Sequence, residues 1–432
     1  MIMKKIFFLI LIYFSFKNIN AESNLIFFLE SAFKNNPKLN AERKNYESIK
    51  QNVNISRSEY LPSLTITGTQ SSTESFNRTD NSGSKLNDIN LNTETKSISI
   101  DQKIFQGFKG YNNLKKSQIE VEKASFELKK AEQEILLNSL SAFYDLIFKV
   151  KSKNFNLANV DLFERQVESD KARLQKGEIT LSDLAQSESS LAGANAQLIT
   201  AETDLINSKT IFEKITRASP PDDLTVIDYI NLKLPKSLPE ALITSKRSNP
   251  TLLISKMDSL IAEKDFNIEK AKLAPSASIN YTKSENQEFS SSVDEIDEET
   301  LKATIKWPII QGGKNYSSVK QSKLIKQKKQ LLFKEVQNQV NSNTTNAWSN
   351  YQSSKSVLSA TQAQLKAAEI ANEGITLEYD SSNTRSTLEL IQSRSLLLNA
   401  RISNAKAERD FIISQFNLLD QIGKLDLNSI KN

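Results

Sequence analysis

The sequence predicts a mainly α-helical protein with a small β part, built from long coiled-coil hairpins and four β-strands per chain. Glycine (10) and proline (9) are scarce among the 432 residues, and scarce helix breakers favour long uninterrupted helices. In two distant stretches, large residues recur at every seventh position, which is typical of coiled coils. Four short segments instead alternate apolar and polar residues, which indicates strands with one apolar face.

The coiled-coil prediction rests on two seams, in which a small residue follows three positions after each of the first four large ones. A sustained spacing of seven holds one side of a helix against a neighbour and imposes a left-handed supercoil. An ordinary amphipathic core helix is the alternative. The second seam repeats the first at a constant offset of 206 (390 − 184), and this repetition favours a duplicated coiled-coil hairpin. The large positions are Leu184, Leu191, Leu198, Leu205 and Phe212, then Leu390, Leu397, Asn404, Phe411 and Leu418; the small ones are Ser187, Ala194, Ala201 and Ser208, then Ser393, Ala400, Ala407 and Ser414.

Each half of the chain repeats one order of elements: two short helices, a strand, a polar loop, a second strand and two long helices. In the first half we expect helices at 25–33, 38–58 and 111–176, strands around 63–67 and 97–101, and a loop at 71–92. In the second half we expect strands around 276–281 and 301–307, and a long helix from Asn315. The predicted divisions are a first structural repeat at 22–219, a linker at 220–238, a second structural repeat at 239–424 and a short C-terminal tail at 425–432.

The first 21 residues are predicted to be a signal peptide rather than part of the fold. Lys4 and Lys5 precede an apolar run from Ile6 to Phe16, and the segment closes on Ala21, which is the layout of an exported protein. A membrane-anchoring helix is the alternative, although the run is well short of the ~20 residues that a spanning helix needs.

The composition argues against catalysis. The chain has no histidine and no cysteine, so imidazole acid–base chemistry, thiol chemistry and thiolate metal sites are excluded. We therefore expect no catalytic residues, no cofactor and no metal site. The formal charge is +5 without a basic block, which gives no support for nucleic-acid binding.

Four amphipathic strands per chain suit a membrane barrel, although two small hairpins covering a soluble core are the alternative. Four strands cannot close a barrel, because about eight is the practical minimum. Open strand edges are not tolerated in lipid, so the strands would be shared between subunits, and three chains would supply twelve. In that arrangement Lys302 and Lys306 face the barrel interior, Tyr281 and Trp307 suit the membrane interface, and the acidic run 294–299 is an external loop.

The chain resembles the TolC family of trimeric outer-membrane efflux and secretion ducts over essentially all of its mature length. The most specific matches are the two hairpin-tip segments, 176–184 and 383–390. The strand-to-helix turns Phe105-Gln106-Gly107 and Ile310-Gln311-Gly312-Gly313 are also similar to the family's. The resemblance implies a trimer that forms a twelve-stranded outer-membrane β-barrel and an α-helical periplasmic tunnel, closed by the hairpin tips.

The resemblance also implies site residues. Arg385 stands where the family has a tip arginine, and Glu389 and Gln392 stand at two constriction-ring positions, so these three form the candidate gate. Tyr379 lies one residue from the family's tip tyrosine. A separate set is expected to dock a periplasmic adaptor at the tips. Its members are Gly177, Leu181, Asn383 and Thr384.

The implied function is a homotrimeric exit duct in the outer membrane, in contact with its lipid and extending into the periplasm. It would dock to a periplasmic adaptor (membrane fusion) protein and an inner-membrane transporter. The cargo would be small molecules in efflux or a protein in type I secretion. The alternative is a periplasmic coiled-coil adaptor or structural bridging protein; such a protein usually has one hairpin between compact β domains, whereas this chain predicts two hairpins and amphipathic strands.

Overall fold

The computed structural model describes residues 24–221, 230, 232–290, 292–382 and 385–431. The predicted signal peptide, the tip residues Asn383 and Thr384 and part of the predicted linker lie outside the described residues. The helices are α1 Asn24–Asn35, α2 Pro37–Ser58, α3 Lys109–Gln175, α4 Leu181–Thr216, α5 Leu238–Ser248, α6 Pro250–Ala271, α7 Lys314–Ser382, α8 Thr387–Gln421 and α9 Leu427–Lys431. The strands are β1 Ser63–Ser75, β2 Ile89–Gln106, β3 Ser276–Gln287 and β4 Glu295–Lys306.

The long helices agree with the sequence prediction. Helix α3 runs for 67 residues and α7 for 69, each without interruption. Pro37 and Pro250 stand at the first positions of α2 and α6, where the missing N–H of proline costs nothing. No described helix is both long and apolar enough to cross a membrane.

The strands form one antiparallel sheet in the order β1-β2-β3-β4. They reach further into the polar segments than predicted: β1 continues to Ser75, and β2 begins at Ile89, inside the predicted loop 71–92. Serine and asparagine are weak indicators of strand in a sequence, yet their backbone groups pair as well as any others. The alternation of apolar and polar residues identified only the start of β1 and β3 and the end of β2 and β4.

The acidic run 294–299 is not the predicted loop. Residues 295–299 begin β4 and pair in register with residues 283–287 of β3. Lys283 lies opposite Glu299, and their side chains form an ion pair at 3.5 Å. Because side chains alternate between the two faces of a strand, the carboxylates are divided between the faces and repel less than a continuous acidic loop would suggest.

The two faces of the sheet differ in polarity. One cross-strand row consists of Leu64, Ile100, Tyr281 and Leu301, which are all apolar or aromatic. The next row, toward the start of β3 and the end of β4, lies on the opposite face and includes Lys302 paired with Asn280. The predicted alternation of apolar and polar residues is therefore present in this part of the strands, and Lys302 lies on the polar face.

The chain folds as two compact units, each drawn from both halves of the sequence. Among the described residues, the hairpin unit comprises those within 24–37, 132–241 and 345–431, and the strand unit comprises those within 38–131 and 242–344. The hairpin unit contains α4, α8, the ends of α3 and α7 that lead into them, and α1. The strand unit contains the sheet, α2 and α6.

The core of the hairpin unit is a cluster of aromatic and aliphatic side chains around α1. The ring of Phe28 packs edge-on against Phe212 at 5.0 Å between centroids and lies 6.3 Å from Phe143. Leu140 and Leu418 are completely buried in the same cluster. Aromatic pairs in this geometry add to the stabilisation that burial provides.

The seams predicted from the sequence are confirmed within this unit. The small residues of both rows are all buried, as expected where neighbouring helices approach closely. Leu184, Phe212, Leu390 and Leu418 are also buried. Asn404, the polar member, is buried and donates a hydrogen bond to Glu408, which satisfies part of its amide.

In the strand unit, ion pairs connect α6 to the long helices on either side. Asp258 on α6 accepts from Lys123 of α3 at 2.9 Å and from Lys329 of α7 at 3.3 Å. Burial by itself raises the pKa of Asp258, but the hydrogen bonds and charges of the two lysines outweigh it and lower the pKa below its ordinary value.

This lowered pKa predicts acid-sensitive packing of α6. A carboxyl group whose pKa is lower in the folded state stabilises that state above its unfolded pKa of about 3.9, and the stabilisation disappears as the pH falls through the folded pKa. In hydrogen-exchange measurements corrected for intrinsic rates, we expect wild-type α6 to lose protection between about pH 5 and pH 3. We expect the Asp258→Asn variant to lose less protection over that interval. Glu263→Gln is the control, because the Glu263 carboxylate is more weakly paired in the wild type. Equal losses in wild type and Asp258→Asn would contradict the prediction.

Candidate functional site

The ends of the two helical hairpins carry the residues that the sequence identified. Helix α3 ends in a tight turn at Gly177, whose φ is 75°. The amide of Gly177 donates to the carbonyl of Leu174 at 2.9 Å, and that of Glu178 donates to the carbonyl of Arg173 at 3.0 Å. These are the two bonds of a Schellman motif. Nothing lies within 4 Å of a Cβ built at Gly177, so glycine is needed here for its backbone conformation and not for space.

Both returning helices begin with a capping box. At the start of α4, Thr180 accepts from the amide of Asp183, and its own amide donates to the Asp183 carboxylate at 2.9 Å. At the start of α8, Ser386 and Glu389 exchange the same two bonds, with the amide of Ser386 donating to Glu389 at 2.9 Å. Each box satisfies two backbone donors that have no partner within the helix. Glu389 therefore fixes the start of α8 in addition to any role in a constriction.

Arg385 connects the end of α7 to the start of α8. Its Nε donates to Glu378 at 2.6 Å and its Nη1 donates to Glu389 at 3.0 Å. The backbone bond from Ser386, followed by the bond from Arg385, lowers the pKa of the Glu389 carboxyl. All three side chains are substantially exposed, so each link is weak by itself.

A buried polar cluster lies at the same end of the hairpin unit and is centred on Asp170, which is completely buried. Its carboxylate accepts from the hydroxyl of Tyr379 at 2.9 Å, from the amide of Gln166 at 2.9 Å and from the hydroxyl of Ser187 at 2.5 Å. The Tyr379 hydroxyl lies 3.3 Å from that of Thr387. The Asp170 carboxylate thus connects α3, α4 and α7, and the Tyr379 hydroxyl extends the cluster to α8.

Arg173 closes the cluster on its solvent side. Its guanidinium lies 4.7 Å from the centre of the Tyr379 ring, which is the geometry of a cation–π contact. Its Nε donates to Glu178 at 3.3 Å. Burial raises the pKa of Tyr379, so the hydroxyl stays protonated and donates to Asp170 at neutral pH.

Glu389 and Gln392 lie on one face of α8 and line a groove between α8 and α7. The groove has a volume of about 430 Å³, and its α7 wall includes the small residues Ala367, Ala368 and Ala371. Leu181, the first residue of α4, is 71% exposed. The structure therefore places Arg385, Glu389 and Gln392 close together, and Gly177 and Leu181 at the turn of the other hairpin.

The sequence analysis missed Asp170, although a sign of it was present. Asp170 stands seven positions after Phe163 on α3, and Phe163 is buried against Val160 and Ala194. A carboxylate in register with a buried seam implies partners across the helices. The capping boxes could also have been predicted from the sequence, because a threonine or serine followed three positions later by an acidic residue is a known signal for the start of a helix.

These groups are suited to holding helix ends together. The described residues contain no cluster of three or more histidine, cysteine, aspartate or glutamate side chains that could hold a metal ion. The buried carboxylate at the centre is fully engaged by hydroxyl and amide donors, and the exposed ion pairs around it are individually weak. Such an arrangement favours one packing of the hairpin ends that a competing contact can disrupt.

Three features define the class of protein, the tubular export channels. They are the long coiled-coil hairpins, the amphipathic four-stranded sheet, and the hairpin ends that hydrogen bonds and ion pairs hold together. The chain belongs to the outer membrane efflux protein family, whose family model matches residues 28–215 and 245–424. The chain is 25% identical to the outer membrane efflux protein BepC of Brucella suis, over 93% of this chain and 86% of that protein. It is 21% identical to the outer membrane protein TolC of Escherichia coli, over 96% and 86% of the two chains.

Solved structures agree in fold. The CmeC outer membrane channel of Campylobacter jejuni superposes with a TM-score of 0.82 at 15% identity, covering 94% of this chain and 88% of that one. The MtrE outer membrane channel of Neisseria gonorrhoeae, described as an open state, gives 0.77 at 14% identity, covering 92% and 88%. The predicted fold class is therefore confirmed. The protein is an efflux channel of the outer membrane.

Proposed function

We propose that three copies of this chain form an outer-membrane export channel whose closed end consists of the hairpin tips. The observation that carries the proposal is a pair of exposed apolar seams in the hairpin unit. Ile199 and Ile206, seven residues apart on α4, are each 64% exposed, and Ile370 and Leu377, seven apart on α7, are 64% and 62% exposed. Large apolar residues at this spacing indicate helices that pack against further helices.

The sheet supports the same proposal. Its order leaves β1 and β4 each with one edge that is unpaired among the described strands, and its apolar face includes Leu64 at 64% exposure and Leu301 at 75%. An apolar face with open edges is not stable in lipid, because unpaired backbone groups cost several kcal/mol each there. Pairing β4 of one copy with β1 of the next closes the edges, and three copies give twelve strands.

Arg385, Glu389 and Gln392 are proposed to narrow the tunnel at the tips. In a trimer each residue occurs three times around the axis, and three nearby carboxylates repel unless they are neutralised. Arg385 supplies that neutralisation within each chain, and Ser386 adds hydrogen bonds. The buried cluster around Asp170 holds the helices behind this ring in the closed packing.

Arg385→Ala is predicted to raise single-channel conductance in planar bilayers and to strengthen block by divalent cations added on the tip side. The substitution removes the bond to Glu378 and leaves the Glu389 carboxylate without its arginine. The combined variant Arg385→Ala, Glu389→Gln should keep the higher conductance and lose the block. Wild-type conductance and wild-type block in both proteins would place the constriction elsewhere.

The exposed turns are proposed to dock a periplasmic adaptor, which joins the channel to an inner-membrane transporter. Gly177 and Leu181 present a tight, protruding turn in one hairpin, and Asn383 and Thr384 occupy the corresponding place in the sequence of the other. The cargo is small molecules in efflux or a protein in type I secretion. We propose no catalytic role, in keeping with the absence of histidine and cysteine, and no nucleic-acid partner, in keeping with the absence of a basic block.

Gly177→Val is predicted to abolish export while leaving trimers intact. Valine is strongly disfavoured at a φ of 75°, so the turn opens and the docking surface changes shape. Gly177→Asn is the matched control, because asparagine tolerates this conformation and should export at near the wild-type rate. Export is measured in cells that lack the native protein, and trimers by native mass spectrometry. Unchanged export with Gly177→Val would contradict docking at this turn.

A further inference from the structure

A pocket in the strand unit is lined by three lysines and lies at the end of β2, the start of β3 and the end of β4. Lys109 at the start of α3, Lys272 just after α6 and Lys306 at the end of β4 all line it. Its volume is about 310 Å³. The three lysines belong to three separate segments of the chain, so they line one pocket together and do not form a run along one helix face.

No carboxylate lines the pocket to balance the charges of Lys109 and Lys306. None of its lining residues is aspartate or glutamate. Lys272 is paired with Glu269 at 2.6 Å, whereas within the described part of the chain neither Lys109 nor Lys306 has an ion-pair partner. The lining also includes the amides of Gln106, Gln311 and Asn315, which supply further N–H donors. This donor set matches the acceptor oxygens of a phosphate-type anion.

The surroundings of the pocket are fixed by close packing. Gly107 directly follows β2 and has a φ of 60°, and a Cβ built there would lie 2.5 Å from the Cβ of Ala274 and 2.7 Å from the carbonyl oxygen of Ala271. The end of β2 is therefore pressed onto the turn between α6 and β3, on which Lys272 lies. A fixed frame reduces the entropy lost when the lysines gather around a ligand.

The position on the sheet decides which side the pocket faces. Gln106, Ser276 and Lys306 form one cross-strand row. Counting in steps of two along β4, Lys306 lies on the same face as Lys302, whereas Ile305 and Leu301 lie on the apolar face. The pocket thus opens on the polar face, away from the surface that suits lipid.

We propose that Lys109, Lys272 and Lys306 form a binding site for compact phosphate-type anions, such as phosphate monoesters or pyrophosphate. That the site opens into the channel interior rests on the proposed function, under which the trimer carries three such pockets at one level of the tunnel. Rings of lysine favour anions in pores. The site would attract anionic or phosphorylated cargo as it enters the barrel.

Pyrophosphate is the probe, and the purified full-length protein in amphipol is the sample. Each lysine is labelled with a limiting amine-reactive acylating reagent, and its labelling rate is read by mass spectrometry with and without pyrophosphate at constant ionic strength. Lys109 and Lys306 should be protected several-fold, while Lys283 and Lys96 on the other face of the sheet should not. Calorimetry on the double variant Lys109→Gln, Lys306→Gln should show pyrophosphate binding weakened about tenfold or more, with Lys283→Gln as the matched control.

A lipid headgroup carries the same chemistry, so the labelling is repeated in nanodiscs of phosphatidylcholine with and without phosphatidylglycerol. Protection by pyrophosphate in both discs supports a site for soluble anions in the interior. Protection by phosphatidylglycerol alone overturns it in favour of a lipid contact. Equal protection of all lysines, or binding unchanged in the double variant, also overturns it. Native mass spectrometry of the same sample separates the two proposals: trimers without protection refute only the anion site, whereas the absence of trimers refutes the proposed channel.

Discussion

Replacing Ile199 and Ile206 with aspartate is expected to abolish trimer formation. These side chains project from α4 and are mostly exposed in the single chain, so the variant chain should fold. In the assembled channel each isoleucine contributes roughly 1.5–3 kcal/mol by burial. A buried unpaired carboxylate costs several kcal/mol more. Repeated at three interfaces, the change should move the population from trimer to monomer in native mass spectrometry in mild detergent.

The control for this experiment is Asn207→Asp. Asn207 follows Ile206 directly and is exposed, so the substitution adds one negative charge to the same helix outside the seam. Trimers should persist in this variant. Stable trimers in the double isoleucine variant would show that α4 does not contact another copy, and the exposed seams would then lose their value as evidence for assembly.

Asp170→Ala is expected to loosen the hairpin ends more than any other single substitution at the site. Asp170 accepts hydrogen bonds from Tyr379, Gln166 and Ser187 in a fully buried setting. Without the carboxylate these buried neutral donors lose their acceptor, which costs about 1–3 kcal/mol for each donor left unsatisfied. The amides at the adjoining ends of α3, α4, α7 and α8 should exchange at least tenfold faster with solvent deuterium.

Asp170→Asn provides the matched comparison, because asparagine keeps the shape and one acceptor oxygen. Its amide can donate to the Ser187 hydroxyl, which then rotates to accept. We expect an intermediate exchange rate for Asp170→Asn and unchanged exchange in α1 for both variants. Identical exchange at the hairpin ends in wild type and Asp170→Ala would mean that the cluster does not hold them.

The fold was predictable where a single periodicity governed a long segment. The spacing from Leu184 to Phe212 and from Leu390 to Leu418 identified the buried sides of α4 and α8, and the absence of helix breakers predicted the lengths of α3 and α7. The strand limits were not predictable. Ser71–Ser75 and the acidic residues 295–299 pair through backbone groups, and composition says little about backbone pairing when neither face of the segment is apolar.

The candidate site was predictable only in part. The spacing of Arg385 and Glu389 places them on one helix face, and the two side chains do form an ion pair; their role as a gate remains a prediction. The cluster around Asp170 joins residues 170, 187, 379 and 387, which come from four helices. The register of Asp170 with Phe163 indicates that Asp170 is buried, but which side chains reach it depends on the packing of the two hairpins.

Single-channel conductance in planar bilayers tests the central claim most directly, namely that this chain forms a channel held shut at its hairpin ends. Wild-type protein and Asp170→Ala are inserted under identical conditions from preparations that native mass spectrometry shows to be trimeric. The account predicts small, uniform wild-type channels and a conductance several-fold higher for Asp170→Ala. Trimers that produce no channels, or equal conductances for the two proteins, would contradict it.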